Sequence, residues 1–369
     1  ETGIEPCQRR AGWKAGAPSS RRSQQAGISS KIKSFSTIGM RSVPAGSFQH
    51  LSSFPSLWVA WLDYRRGKRR RPAVADFALD ADLALLHLHQ ALRAGHFRPS
   101  NYRVALVRDP KLRLVAAPNV GDRVLQRALL DAIGPTYERG FIHHNYAVGT
   151  GRGAHRAALA YLGWMRRLPW RMHLDISHYF ASVEHERLMS LFARRLRDAR
   201  TLDLLASLLA AGAEVYRHPL AEVALPELRV PPGRGLPLGG YLSHWAGGFY
   251  LDSLDHLVTR TLKPGGYLRY MDDFVLFADR PETLDVCRAR IIDWLDIERG
   301  LRLKVADAPA LDNRQPGVFL GFRISRGGIG PGPKALKRLR RRLRRGDDLN
   351  PAHLARSLAA FRGMWRALG

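Results

Sequence analysis

Cysteine is almost missing from this chain: Cys7 and Cys287 are the only two in 369 residues. Two thiols cannot build a disulfide framework or a cysteine-ligated metal site, so a reduced, cytoplasmic setting is expected. Long apolar runs are missing too. No stretch of eighteen apolar residues occurs and the start lacks the basic, apolar and small-residue order of a signal peptide, so no membrane partner is expected. Neither HExxH nor a serine nucleophile elbow is present, and His143, His144, His173, His178 and His185 lack a zinc spacing. The glycine-rich piece YAVGTGRGAHRA lacks the GK[ST] ending of a phosphate-binding P-loop, and is read either as an ordinary turn or as a nucleotide contact through Arg152. Acidic residues are scarce, 32 against 59 basic ones, a net charge of +27. That imbalance calls for a polyanionic partner. Anionic lipid would satisfy the charge, but nucleic acid is preferred because a pocket-like carboxylate signal accompanies it.

What is present is enough to bury a core: 45% hydrophobic residues and eight tryptophans, over a length that favours two or three structural units. Residues 1–55 are rich in Ser, Gly, Ala and Arg without periodicity and are expected to be an extension. The apolar SLWVAWL then runs into RRGKRRR at 65–71, either a solvated charge run or a phosphate contact. The pattern FALDADLALLHLHQALRAG predicts one helix from Val74 to Leu92, stopped by Gly95. YRVALVRDPKLRLVAAP at 102–118 predicts a hairpin turning at Asp109 and Pro110, with Arg103, Lys111 and Arg113 on the projection. Helical VLQRALLDAIGPTYE follows. WRMHLDISHYF at 170–180 predicts a strand ending near Asp175, helices are expected over 183–196 and 201–212, and a Gly/Pro-rich loop feeds a long helix within 225–260. Beyond a helix from Pro281 to Leu295, short strands are expected around Leu303 and over VFLGFRI, 318–324. Helices and strands interleave without an even repeat, so an α+β fold is predicted, an antiparallel sheet with helices on one face. The chain closes with KALKRLRRRLRR, where Leu336, Leu339 and Leu343 form a stripe among basic residues, and with a second stripe of Leu354, Leu358, Phe361, Trp365 and Leu368.

Against so basic a background the placement of carboxylates is informative. LRYMDDFVLFAD, 268–279, sets Asp272 and Asp273 side by side in an apolar, aromatic run. Neighbours in a strand point to opposite faces, so a tight turn is needed to bring either to a shared site. Charges beside Phe274 and Phe277 are costly unless neutralised, and Mg²⁺ or Mn²⁺ with oxygen ligands would neutralise them. Asp175 ends another predicted strand. Were the two strands adjacent, Asp175 and Asp272 would converge, with the backbone near Ile176 able to complete a cation shell. Read alone, Asp175 fits a helix cap and the Asp pair a surface turn.

HLDISHYFASVEHERL, GLPLGGYLSHWAGGFYLDSLDH and YLRYMDDFVLFA together resemble the three catalytic motifs of reverse transcriptases. LRLVAAPNVGDRVLQRALL and YAVGTGRGAHRA are similar to the finger motifs of that family, and VFLGFRI to its primer grip, so the resemblance runs from Trp58 to Ile324. It looks most like the enzymes of bacterial diversity-generating retroelements; defence-associated, retron-like and CRISPR-linked relatives are the alternatives. The resemblance implies a right-hand polymerase: fingers over 56–165, palm over 166–325 and a short helical thumb over 326–369. It implies Mg²⁺ or Mn²⁺ held by Asp175, Asp272 and Asp273 with the Ile176 backbone. Phe180 resembles the steric gate below the sugar, which would crowd a ribose 2′-OH. Lys111 and Arg113 look like the residues that meet the triphosphate, and Leu238 and Gly239 stand where many relatives carry a Gln-Gly pair. An apolar Leu238 cannot hydrogen-bond nucleotide or template, so error-prone copying is expected. The implied partners are an RNA template, a DNA or RNA primer, dNTPs and a small accessory protein. Template-independent or protein-primed synthesis and a non-catalytic nucleic-acid-binding role are the rival functions. Two departures stand out: Ser243-His244 replaces the subgroup's Ser-Gln, and ADAPALDNRQ lacks the lysine-bearing element that precedes the grip strand in relatives. The short stretch after Leu339 is expected to leave strand removal and integration to other factors.

Overall fold

A computed structural model describes residues 48–108, 111–344 and 351–366, all within the compact unit Pro44–Gly369. Cys7, the Asp109-Pro110 turn, and the Leu354, Trp365 and Leu368 side chains lie outside the described residues.

Among the described residues, nine strands form three antiparallel groups. β1 (Arg103–Arg108) and β2 (Leu112–Ala117) make the expected hairpin, in register from Arg103↔Ala117 to Arg108↔Leu112. β3 (Trp170–Asp175), β4 (Gly266–Tyr270), β5 (Asp273–Ala278) and β6 (Leu311–Asp312) form a sheet in the order β4-β5-β3-β6. β7 (Gly317–Phe319), β8 (Phe322–Ser325) and β9 (Gly328–Pro331) form a third, smaller sheet. The fold is α+β, as the irregular interleaving predicted.

The central strand β5 is buried along all but its first residue, which explains its nearly continuous apolar sequence, whereas β3 alternates Trp170, Met172 and Leu174 with the polar Arg171, His173 and Asp175. One face of the sheet packs into a core shared with helices Val120–Glu138, His185–Ala193, Tyr241–Tyr250 and Pro281–Trp294, where Met172, Leu174, Phe274 and Leu276 are fully or almost fully buried. On the other face Val275 and Phe277 meet the helix Ala154–Arg167 and strands β7 and β8, through Tyr161 and Phe319. Side-chain alternation sorts Phe274 and Leu276 from Val275 and Phe277. Both faces are therefore covered, rather than one.

Four elements depart from the sequence expectation. A short helix, Phe48–Leu51, with Phe48 and Leu51 buried, lies inside the stretch assigned to the extension. The helix expected over Val74–Leu92 is two, Pro72–Leu79 and Ala81–Ala94, because Asp80 leaves helical geometry at φ −129°, ψ 33°; Gly95 ends the second in the left-handed region. VFLGFRI is a hairpin rather than a strand: Leu320 and Gly321 both take positive φ, the twist a two-residue β-turn requires, and divide it into β7 and β8. Leu303 makes only an isolated bridge to Ile176, and the fourth strand of the sheet lies further on at Leu311–Asp312. Toward the C-terminus, Pro333–Arg344 is helical with no buried side chain; Leu343 is exposed while Leu336 and Leu339 are half-buried.

Candidate active site

The register of two strands makes the site. Asp175 closes β3 directly opposite Asp273, the first residue of β5. Opposed residues of an antiparallel pair share a face, with Cβ atoms about 5 Å apart. Asp272 sits in the two-residue Met271-Asp272 turn between β4 and β5; Met271 is left-handed at φ +60°, and the Ile176 amide donates to the Asp272 carbonyl at 3.3 Å. The turn thus returns Asp272 toward Asp175, which answers the difficulty of two adjacent aspartates serving one place.

Crowding shows in their acidity. Burial, then the charge of Asp175, pushes Asp272 up to about 6. Burial, Asp175 and Asp272 push Asp273 up to about 8. Two positive groups oppose this. Lys304 donates to Asp175 Oδ2 at 2.9 Å, and its amide donates to the Asp175 carbonyl at 2.8 Å. Arg113, from β2, adds a favourable charge at Asp272. Lys304 is a site residue that no sequence motif signals: it stands just before ADAPALDNRQ, the stretch that lacks a lysine.

Hard carboxylate oxygens that resist ionising together suit a small divalent cation, which would supply the missing counter-charge. The donor set fits Mg²⁺ or Mn²⁺ in kind. It is not a closed cage, since among the described residues no three His, Cys, Asp or Glu side chains converge as a ready ligand group, and Asp175 shares an oxygen with Lys304. Ile176 is buried, with Lys304 N–H bonded to the carbonyl before it and Ser177 N–H to Arg302, so its peptide is held beside the carboxylates.

Phe180 follows in the short helix Tyr179–Ser182. Its carbonyl accepts from the Leu236 amide at 2.7 Å, and its half-buried ring lies beside Tyr179 and close to Gly247. The LPLGG loop is tied in turn to β2: the Leu238 carbonyl accepts from the Ala116 amide at 2.7 Å. Gly239, at φ +112°, leaves room for that contact, because a Cβ there would stand 2.7 Å from the Ala116 carbonyl oxygen. Leu238 is half-buried and Gly239 exposed. So Asp175, Ile176, Asp272, Asp273, Arg113, Phe180, Leu238 and Gly239 are linked through β2, β3, β5 and the loop. Lys111 is exposed near the hairpin tip, and nothing ties it to the carboxylates.

The glycine-rich piece resolves as a turn. The Arg152 guanidinium donates back to the carbonyls of Ile142 and Asn145, so that side chain braces its own loop instead of reaching a nucleotide. Among the histidines, burial lowers His173 to about 4 and His185 bonds the Gly235 carbonyl at 2.9 Å, as packing groups do.

A profile of the reverse transcriptase (RNA-dependent DNA polymerase) family matches residues 108–324, more than half of the chain. The chain belongs to the reverse transcriptase family. Its activity class is therefore RNA-directed DNA polymerase, a nucleotidyltransferase, and its mixed architecture with an antiparallel sheet is that of a right-hand polymerase. Among curated proteins, Protein YkfC of Escherichia coli (strain K12) is 29% identical over 280 residues, covering 65% of this chain and 70% of that protein. Among solved structures, apo telomerase from Candida tropicalis, truncated from its C-terminal domain, aligns with a TM-score of 0.42 and 10% identity over 63% of this chain and 55% of that one. A partial Cas6-RT-Cas1--Cas2 complex aligns with a TM-score of 0.39 and 14% identity over 68% and 42%. The chain thus spans about half of those structures or less. Among the described residues no helix is long and apolar enough to cross a membrane.

Proposed function

We propose that this reverse transcriptase extends the 3′-OH of a DNA or RNA primer along an RNA template, the hydroxyl attacking the α-phosphate of a dNTP and pyrophosphate leaving. The observation that supports this most is the Asp175↔Asp273 register with Asp272 in the adjoining turn. Asp175, Asp272 and Asp273, with the Ile176 carbonyl, would hold Mg²⁺ or Mn²⁺, which supplies charge neutralisation and activates the hydroxyl when bound. The rest is positioning, which phosphoryl transfer mainly requires. Arg113, with Lys111 further out, meets the triphosphate; the Phe180 ring crowds a ribose 2′-OH; Leu238 and Gly239 border the nascent base pair. Residues 56–165 serve as fingers, 166–325 as palm and 326–369 as a basic thumb.

Omitting the template separates copying from terminal addition: extension should require RNA and all the dNTPs it specifies, and equal extension by a single dNTP without template would overturn the reading. The retroelement-type, error-prone role rests on Leu238. Its side chain offers no hydrogen bond, so sequenced products should carry misincorporations that Leu238→Gln reduces; an unchanged error spectrum would remove Leu238 from the account.

A further inference from the structure

Among the described residues Arg269 is the largest charged side chain that is completely buried, two residues before the proposed catalytic turn. Its Nε donates to Asp255 Oδ1 at 2.6 Å and Nη2 to Asp255 Oδ2 at 2.5 Å, a two-pronged pair with both side chains fully buried. Tyr267 adds a hydroxyl donor to Asp255 Oδ1 at 2.7 Å. The remaining donors reach main chain: Nη1 to the Met271 carbonyl at 2.9 Å and Nη2 to the Gly248 carbonyl at 3.0 Å. Its backbone is equally held, by Phe274 of β5 on one side and by His144 and Tyr146 on the other.

One guanidinium therefore spans three parts of the site. The Met271 carbonyl is that of the left-handed residue immediately before Asp272. The Gly248 carbonyl belongs to the helix Tyr241–Tyr250, which continues the LPLGG loop; next to it, Gly247 packs within reach of Phe180 and Met271. Asp255 anchors the assembly from the helix Asp252–His256. Packing alone does not account for such a pair, because well-fitted apolar replacements of a buried ion pair are often no less stable, whereas deleting one partner strands a charge.

We infer that Arg269, locked to Asp255, is a positioning residue that sets the Met271-Asp272 turn against Phe180 and the helix after the LPLGG loop. It touches no substrate; it fixes where the Asp272 carboxylate stands. The inference rests on the catalytic role proposed for Asp272, and its test carries a readout independent of turnover.

The triple variant Arg269→Met, Asp255→Leu, Tyr267→Phe removes the charges together with the hydroxyl that would otherwise lose its acceptor. Arg269→Lys keeps the ion pair but cannot span both carbonyls. Each is compared with wild type by thermal melting, primer-template affinity, kcat and KM for dNTP, and Mn²⁺ affinity by electron paramagnetic resonance. The expected result is a folded triple variant with unchanged primer-template affinity, kcat lower by about 100-fold, and Mn²⁺ binding weaker by about tenfold. Arg269→Lys should fall between. Wild-type kcat and Mn²⁺ affinity in either folded variant would overturn the positioning role. So would loss of folding in both, which would make the pair a stability element first. Should wild type itself fail to extend primers, the polymerase reading falls, while the Mn²⁺ measurement still decides whether Arg269 places Asp272.

Discussion

Replacing Asp273 by asparagine should make the protein more stable at alkaline pH. In the folded chain burial and two neighbouring carboxylates raise Asp273 to about 8, from an ordinary 3.8. Across that interval the folded state holds a proton that the unfolded chain has released, so stability falls as pH rises from about 4 to about 8 and levels off above. Four pH units at about 1.4 kcal/mol each set an upper bound of about 6 kcal/mol. Local relaxation and water at a site that is not fully closed bring the expected cost to about 2–3 kcal/mol. Asparagine keeps the shape and carries no charge. In EDTA, Asp273→Asn should melt with wild type near pH 4.5 and several degrees above it at pH 8.5, the gap opening between. Mg²⁺ should narrow the gap by raising wild type more than the variant. Melting curves that stay parallel from pH 4.5 to 8.5 would refute the claim that these carboxylates crowd one another.

Other consequences are as concrete. Phe180→Val should open space beside the sugar and raise rNTP use relative to dNTP by about 10- to 100-fold in kcat/KM, read from single-nucleotide extension; an unchanged ratio would remove Phe180 as the gate. Gly239→Ala sets a Cβ 2.7 Å from the Ala116 carbonyl oxygen at a backbone angle that suits glycine, and should cost about 2 kcal/mol of stability together with nucleotide affinity. A neutral melting and KM result would show the loop free of β2. The loop 65–71 surrounds a depression of about 390 Å³ lined by Arg66, Gly67, Arg69 and Arg70. Neutralising the three arginines to glutamine should lower the salt-dependence slope of nucleic-acid binding by about 2, near 0.7 per lost single-strand phosphate contact; an unchanged slope would leave them as a solvated charge run.

The sheet and the carboxylates were legible because the physics is local. WRMHLD alternates apolar with polar residues and DFVLFA carries a β-branched and aromatic run, both strand patterns, and an aspartate at one end of each leaves few places for the charges to go. Strand register then does what sequence distance hides, bringing Asp175 to Asp273. What stayed illegible depended on partners far away or on single backbone angles. Arg269 is one basic residue among 59 until Asp255 is seen against it. Lys304 reaches Asp175 across 129 positions, where no local pattern announces it. Asp80 breaks a helix inside a pattern that stays amphipathic on both sides, and Leu320-Gly321 turns a chain whose composition reads as one strand, since nothing in leucine favours a positive φ.

Single-turnover extension of a DNA primer on RNA, set beside primer-template affinity measured in the same samples, tests the central claim most directly. Asp175→Asn and Asp272→Asn should each bind primer-template within about twofold of wild type and extend it at least about 1,000-fold more slowly, the loss expected when about 4 kcal/mol of transition-state charge stabilisation is removed. Extension at the wild-type rate by either variant, with Mg²⁺ or with Mn²⁺, would contradict it.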